Sequence, residues 1–276
     1  MRLLDTRLKR TALLVMVSTA TGVMAQRGEV TSGSPSQFSN PNQGYPGFFD
    51  TNFAEQGSLV VEFPPIMLPL LPTPSLAVDY GVTDTLTVGT NALVSTLPWL
   101  FGARGLSFKA RTLIYGNDSV QHVATVYGSY IGSKEFTASW QLFTSNNSWK
   151  LAPRHIVTAQ GMLMHFGLEL GSKSSINYTN IQLSTLTLGG GYQFIVTDLA
   201  SISTYFLLPA LTSMEADSVG ANINAKIDAR SGNLTAAILR SSLDFRNDDW
   251  LYSLGGLYAY GLTASISPWL SATTRW

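Results

Sequence analysis

The sequence predicts an all-β chain, an antiparallel up-and-down transmembrane β-barrel of about 12 strands, an even number as such barrels require. The range is about 10–14, because the strand boundaries read from the pattern can hide or add one strand. Three observations carry this reading. Charged residues make up only 12% of the 276-residue chain, against roughly 25% in soluble domains. Mean hydropathy is nevertheless only +0.14, too low for a bundle of membrane helices. Apolar and polar residues alternate with a period of two over long stretches, which sets one face of each strand in lipid and the other in a lumen.

The elements follow in chain order. Arg2, Arg7, Lys9 and Arg10 form a basic start, Thr11 to Ala20 an apolar stretch, and Val23-Met24-Ala25 a small-residue cleavage site. That order reads as a secretory signal peptide over residues 1–25. The apolar stretch is shorter than the ~20 residues a spanning helix needs. Residues 26–56 form a polar, flexible lead-in of linker or plug type without a period, and 57–276 is the barrel. The most apolar later run, Phe63 to Val78, is broken by Pro64, Pro65, Pro69, Pro72 and Pro74. A membrane protein without spanning helices has to close a barrel to satisfy its backbone.

Leu76, Val78, Tyr80 and Val82 alternate with Ser75, Ala77, Asp79 and Gly81; Leu86, Val88, Thr90, Ala92 and Val94 continue after a Thr83-Asp84 turn, with Leu93 as the exception. The pair predicts a hairpin. Phe136, Ala138, Trp140 and Leu142 repeat the pattern, as do Ile202, Phe206 and Leu208. The most regular case is Val219, Ala221, Ile223, Ala225, Ile227 and Ala229. Further strands are expected near 104–115, 119–131, 154–170, 176–194, 232–246, 249–261 and 262–276, with no helical period and no second domain. Parity counted from the first hairpin disagrees with parity counted from the C-terminus, so one strand is misassigned.

The last stretch sets Leu262, Ala264, Ile266, Pro268, Leu270, Ala272, Thr274 and Trp276 on one parity. A strand of this kind ending on an aromatic residue, behind a leader, resembles the C-terminal signal of bacterial outer-membrane β-barrel proteins. The resemblance implies export to the outer membrane, contact with outer-membrane lipid, and recognition of Leu270 and Trp276 by the barrel-assembly machinery. Trp99, Trp140, Trp149, Trp250, Tyr252, Tyr258 and Tyr260 suit aromatic girdles at the membrane surfaces.

With apolar residues facing lipid, the charges expected on the lumen side are Asp79, Lys109, Arg111, Glu135, Glu169, Lys226, Asp228, Arg230, Arg240, Asp244 and Arg246. An Arg or Lys in mid-bilayer would cost ~2–4 kcal/mol. A three-residue turn at Arg230-Ser231-Gly232-Asn233 would join the strands bearing the last six. Both signs occur in similar number, so strong charge selectivity is not expected. The wall reads equally as a pore lining for a small solute or as an ion-pair network that fills a narrow barrel.

Other chemistry finds little support. The three histidines, His122, His155 and His165, lack the His-x-Ser pattern that barrel lipid hydrolases carry. Glu169 lies ~13 Å along the strand from His165, too far to orient it. Asp248-Asp249 reads as a turn. Without cysteine or clustered ligands no metal site or cofactor is expected, and zero net charge gives no footprint for nucleic acid. The expectation is a channel or transporter for small solutes, not an enzyme; the alternatives are a closed structural or surface-binding barrel, a barrel hydrolase, or a soluble β-sandwich.

Overall fold

A computed structural model describes residues 42–46, 50–63, 76–117, 119–171, 178–219, 224–231, 237–260 and 265–276. The expected leader and the lead-in to residue 41 lie outside the described residues, as do the side chains of 219, 224–231, 259, 260, 265, 267 and 269. Thirteen strands are present: β1 Leu59–Phe63, β2 Ala77–Thr83, β3 Leu86–Asn91, β4 Arg104–Gly116, β5 Val120–Gly132, β6 Phe136–Ala152, β7 His155–Leu170, β8 Tyr178–Thr197, β9 Ala200–Val219, β10 Asn224–Ser231, β11 Ala237–Asn247, β12 Trp250–Tyr260 and β13 Ser265–Arg275. Among the described residues there is one helix, α1 (Ala92–Leu100), which follows β3.

The strands form a closed antiparallel barrel with 12 wall positions. Neighbours in sequence pair, except β10 with β11, and β13 returns to β1 through Val60 opposite Arg275 and Glu62 opposite Thr273. β10 and β11 share one position, because both pair antiparallel with β9: Ser231 lies opposite Thr212, and Ile238 opposite Leu207. The expected turn at Arg230-Ser231-Gly232-Asn233 therefore does not join a hairpin, since β10 and β11 run in the same direction. The regular alternation from Val219 to Ala229 likewise spans a reversal, since Val219 ends β9 and pairs with Asn224 of β10.

The first hairpin forms as expected, but its second strand stops at Asn91. Asn91 Oδ1 accepts from Val94 N at 2.8 Å and caps α1, supplying a partner for one of the free first-turn donors. Leu93, the break in the alternation, marked this switch of period. The helix lies over the lumen face of β4. A Cβ on Gly105 would fall 1.9 Å from Val94 O, so only glycine admits the helix there.

The outer surface excludes a soluble sandwich. Leu106 (69% exposed), Leu254 (55%), Leu188 (53%) and Ile266 (80%) all point outward, while Thr87, Thr144, Asn146, Ser201 and Asp244 are buried inside. Soluble domains bury large apolar side chains instead. Aromatic rings stack on the outside near the short turns, with Phe245–Tyr252 at 5.1 Å and Trp250–Tyr252 at 5.9 Å between centroids.

The turns at 84–85, 117–119, 153–154, 198–199 and 248–249 gather at one end with Leu59 and Trp276. At the other end the wall is uneven. β8 and β9 have 20 residues each, about twice the ~9–11 a strand needs to cross hydrocarbon. Beyond the apolar band their faces exchange character. Gln182, Ser184, Glu215 and Asp217 stand outside; Ile181, Leu183 and Met214 share the inner face with buried Thr185.

The same inversion resolves the parity conflict. Phe136, Ala138, Trp140 and Leu142 share the face of Thr144, Asn146 and Ser148, all buried toward the lumen. They point inward, not to lipid. Above the bilayer water lies outside the wall, so apolar side chains turn in, as in any soluble sheet. Trp140 is thus removed from the expected girdle.

Candidate functional site, a lumen in two layers

The layer nearer the short turns is polar and carries most of the expected charges. Lys109 Nζ donates to Asp79 Oδ2 at 2.6 Å. Arg111, 1% exposed, stands one step along the same face of β4. Across the barrel Ser203 Oγ donates to Asp244 Oδ2 at 2.8 Å, and Arg240 lies 4.0 Å from Asp244. Glu62 joins from β1 and has Lys109, Asp79, Arg240 and Asp50 as its charged surroundings. It escaped the sequence reading because β1 has only five residues, too few to set a parity. Arg246 sits at the mouth, its guanidinium 5.6 Å from the Tyr45 ring centroid.

Two expected lumen charges stand elsewhere. Glu135 is exposed in the β5–β6 turn. Glu169 pairs with Thr137 and Asn180 on the outer face of the protruding wall, where water rather than lipid receives it. The register sets Lys226 opposite Asp217, Asp228 opposite Glu215 and Arg230 opposite Ser213; the three side chains lie outside the described residues. Leu270 and Trp276 are exposed on the outer surface.

The polar layer is occupied by the chain itself. Arg111 Nη1 donates to Asn52 O at 2.6 Å and lies 3.3 Å from Asp50 Oδ1; its Nε donates to Thr125 Oγ1 at 3.2 Å. Asn146 Nδ2 donates to Asp50 O at 2.9 Å. Thr51 Oγ1 donates to Gln121 Oε1 at 3.0 Å, and Ala54 N to Thr87 Oγ1 at 3.1 Å. Further along, Asn42 Nδ2 donates to Asp244 Oδ2 at 3.3 Å, and Glu55 pairs with Arg275. Residues 50–56 thus run inside the ring, tied to β3, β4, β5 and β6. Asp50, Thr51 and Asn52, with Gln121, Thr158 and Gln193, enclose a void of about 10 Å³, the size of one water.

An apolar layer lines part of the wall at mid-height. Met162 of β7 touches Tyr205 and Leu207 of β9, and Leu142 and Ile238 pack against them. β8 lies between, and its glycines make the contact geometrically available. A Cβ on Gly191 would meet Tyr205 Cδ1 at 2.1 Å, and one on Gly189 would meet Leu207 Cδ2 at 2.5 Å. The run Gly189-Gly190-Gly191 therefore leaves a trough across which the two β9 side chains lie.

No family model and no curated protein matches the chain. Solved structures do. The TodX monoaromatic hydrocarbon channel deltaS2 mutant aligns with a TM-score of 0.40 at 9% identity, over 79% of this chain and 65% of that one. The Ralstonia pickettii toluene transporter TbuX gives 0.40 at 10% identity over 86% and 91%. The CymD monoaromatic hydrocarbon channel gives 0.42 at 8% identity over 80% and 89%. This chain spans 65% of the TodX mutant and 64% of OmpT of Vibrio cholerae. A likeness of this size carries neither ancestry nor solute.

The histidines all face outward and meet hydroxyls on the next strand: His122–Ser145 at 3.0 Å, His155–Tyr192 at 2.6 Å and His165–Ser184 at 3.0 Å. Among the described residues no carboxylate bonds to any of these rings. A base paired with a hydroxyl but lacking an orienting partner is half of a nucleophilic constellation. Among the described residues no group of three His, Asp or Glu side chains is placed to hold a metal ion.

Proposed function

We propose that this protein is a bacterial outer-membrane channel for small solutes whose lumen is stoppered by its own N-terminal segment. On this reading residues 1–25 are the cleaved leader, and the C-terminal strand ending at Trp276 is the assembly signal. The short-turn end faces the periplasm, as in barrels of this kind.

The observation that carries the proposal is the placement of residues 50–56 within the ring. A lumen that holds an extended polypeptide has room for a small solute once that polypeptide leaves. Its contacts are hydrogen bonds and ion pairs to wall side chains, such as Thr51–Gln121 and Asn52–Arg111, each contributing about 0.5–3 kcal/mol, and water replaces them when the segment moves. A barrel filled only by wall side chains has no such removable part. The pairing of Lys109 with Asp79 and of Arg240 with Asp244 leaves the wall near neutrality, consistent with weak charge selectivity.

The test is ion conductance in planar bilayers of the leader-free chain and of a variant lacking residues 26–56. Heat-modifiable gel mobility checks that both are folded. The expected result is low or intermittent conductance for the full chain and a sustained rise for the deletion. A folded deletion variant that never conducts overturns the proposal.

A further inference from the structure

The outer half of the lumen, beyond the Met162–Tyr205–Leu207 layer, has a composition that the stopper does not use. On β5 to β8 its inner face presents Ser129, Trp140, Phe166 and Leu183 in one cross-strand row. The next row toward the short turns holds Tyr127 and Met164. Among the described residues of β5 to β9 no charged side chain shares this face in the outer half. Trp140 and Phe166 lie with ring centroids 5.3 Å apart, tilted by 44°.

Polar atoms are buried within this apolar wall without obvious use. Trp140 Nε1 has no hydrogen-bond partner among the described residues. The Tyr127 and Ser129 hydroxyls likewise have no hydrogen-bond partner among the described residues, and Ser129 is 7% exposed. Ser129 faces Trp140 directly across the β5–β6 ladder, so their side chains start about 4.5–5.5 Å apart. An unpaired buried N–H is unfavourable in an apolar wall. An apolar surface with a few convergent polar atoms is the general form of a small-molecule site. α1, seated over Gly105 of β4, lies on the side of Ser129.

We propose that this half of the lumen binds a small neutral aromatic molecule bearing one hydroxyl, a simple phenol in chemical class. Its ring lies against Trp140 and Phe166. Its oxygen accepts from Trp140 Nε1, and its hydroxyl hydrogen goes to the Ser129 or Tyr127 oxygen. A carboxylate is disfavoured, since no cation on this face compensates for its lost hydration. A hydrocarbon of the same shape leaves the indole N–H unpaired. The proposal deepens the channel reading by naming a solute class, and it rests on the lumen being reachable from outside.

The test is equilibrium binding, without transport, to the folded leader-free protein in detergent micelles. The probes are 4-ethylphenol, ethylbenzene and 4-ethylbenzoate, read by saturable quenching of tryptophan fluorescence and by calorimetry. Ethylphenol is expected to bind at least tenfold tighter than ethylbenzene, and ethylbenzoate weakest. Trp140→Phe keeps the ring and removes the donor, so it is expected to abolish the phenol's advantage while leaving ethylbenzene within about twofold. Ser129→Ala is expected to reduce the advantage in part. Equal binding of phenol and hydrocarbon, an unchanged ratio in Trp140→Phe, or no saturable binding of any probe overturns the site. A protein that binds ethylphenol but never conducts keeps the site and sinks the channel.

Discussion

Replacing Arg111 with methionine tests how firmly the stopper is seated. Of the guanidinium's contacts inside the barrel, those to Asn52 O at 2.6 Å and Asp50 Oδ1 at 3.3 Å hold the segment rather than the wall. Hydrogen bonds from a charged donor contribute about 1.5–3 kcal/mol each. Asp50 also loses a buried counter-charge, and breaking such a pair costs about 3–5 kcal/mol. The two figures describe one loss, so about 3–5 kcal/mol is the total. At 1.4 kcal/mol per tenfold, the undocked population rises by roughly 10²-fold to 4 × 10³-fold. The chain contains no cysteine, so a single Ala54→Cys reports directly, because Ala54 belongs to the segment and is fully buried while it is docked. Maleimide labelling at this position is expected to accelerate by that factor in the Arg111→Met background. Equal labelling rates with and without Arg111, in barrels that keep their heat-modified mobility, would show that this residue does not hold the segment.

Two further predictions concern the wall. Gly191→Ala drives a Cβ to 2.1 Å from Tyr205 Cδ1, so Tyr205 must leave the central layer; overpacking of this kind costs about 1–3 kcal/mol, read as a lower denaturant midpoint with the slope unchanged. Leu188 and Gln182 share the outer face of β8, six residues and roughly 20 Å apart. Leu188→Arg is expected to cost about 2–4 kcal/mol in lipid, and Gln182→Arg less than about 0.5 kcal/mol, in refolding titrations into vesicles; equal costs would place the two in the same medium.

Where the bilayer covers the wall, local pattern and environment agree, and the sequence is easily read. Leu76, Val78 and Tyr80 face out, Asp79 faces in, and Leu270 shares the outward parity of Trp276. The errors cluster where the environment changes without a change of period. Trp140 and Leu142 alternate as a lipid face would, yet water is the medium outside them, so Glu169 was placed inside and Trp140 outside. Alternation records that two faces differ; it does not record which face meets which medium. The strand count survived because two errors offset: β1 (Leu59–Phe63) was not among the expected strands, and Arg230 to Asn233 suggested a reversal between β10 and β11, which instead share one edge of β9. In the site, the charges of β2, β4 and β11 were legible. Asp50 and Thr51 were not, because a segment without period gives no orientation, and docking depends on distant partners, 96 residues away for Asn146 and Asp50 and 97 for Ser148 and Thr51.

The seam between β1 and β13 sets the order in which this molecule is completed. Leu59 and Trp276 exchange both backbone hydrogen bonds, at 2.9 and 2.8 Å. Most other joints in the ring link strands adjacent in the chain, whereas this one joins residues 217 positions apart (276 minus 59). Contacts of such separation form late and slowly. Until they form, the nascent sheet presents two bare edges, each a template for another chain. Removing Trp276 takes away both of these hydrogen bonds, so the seam is held by fewer pairs and a chaperone that shields open edges would have to hold the molecule until β1 and β13 meet.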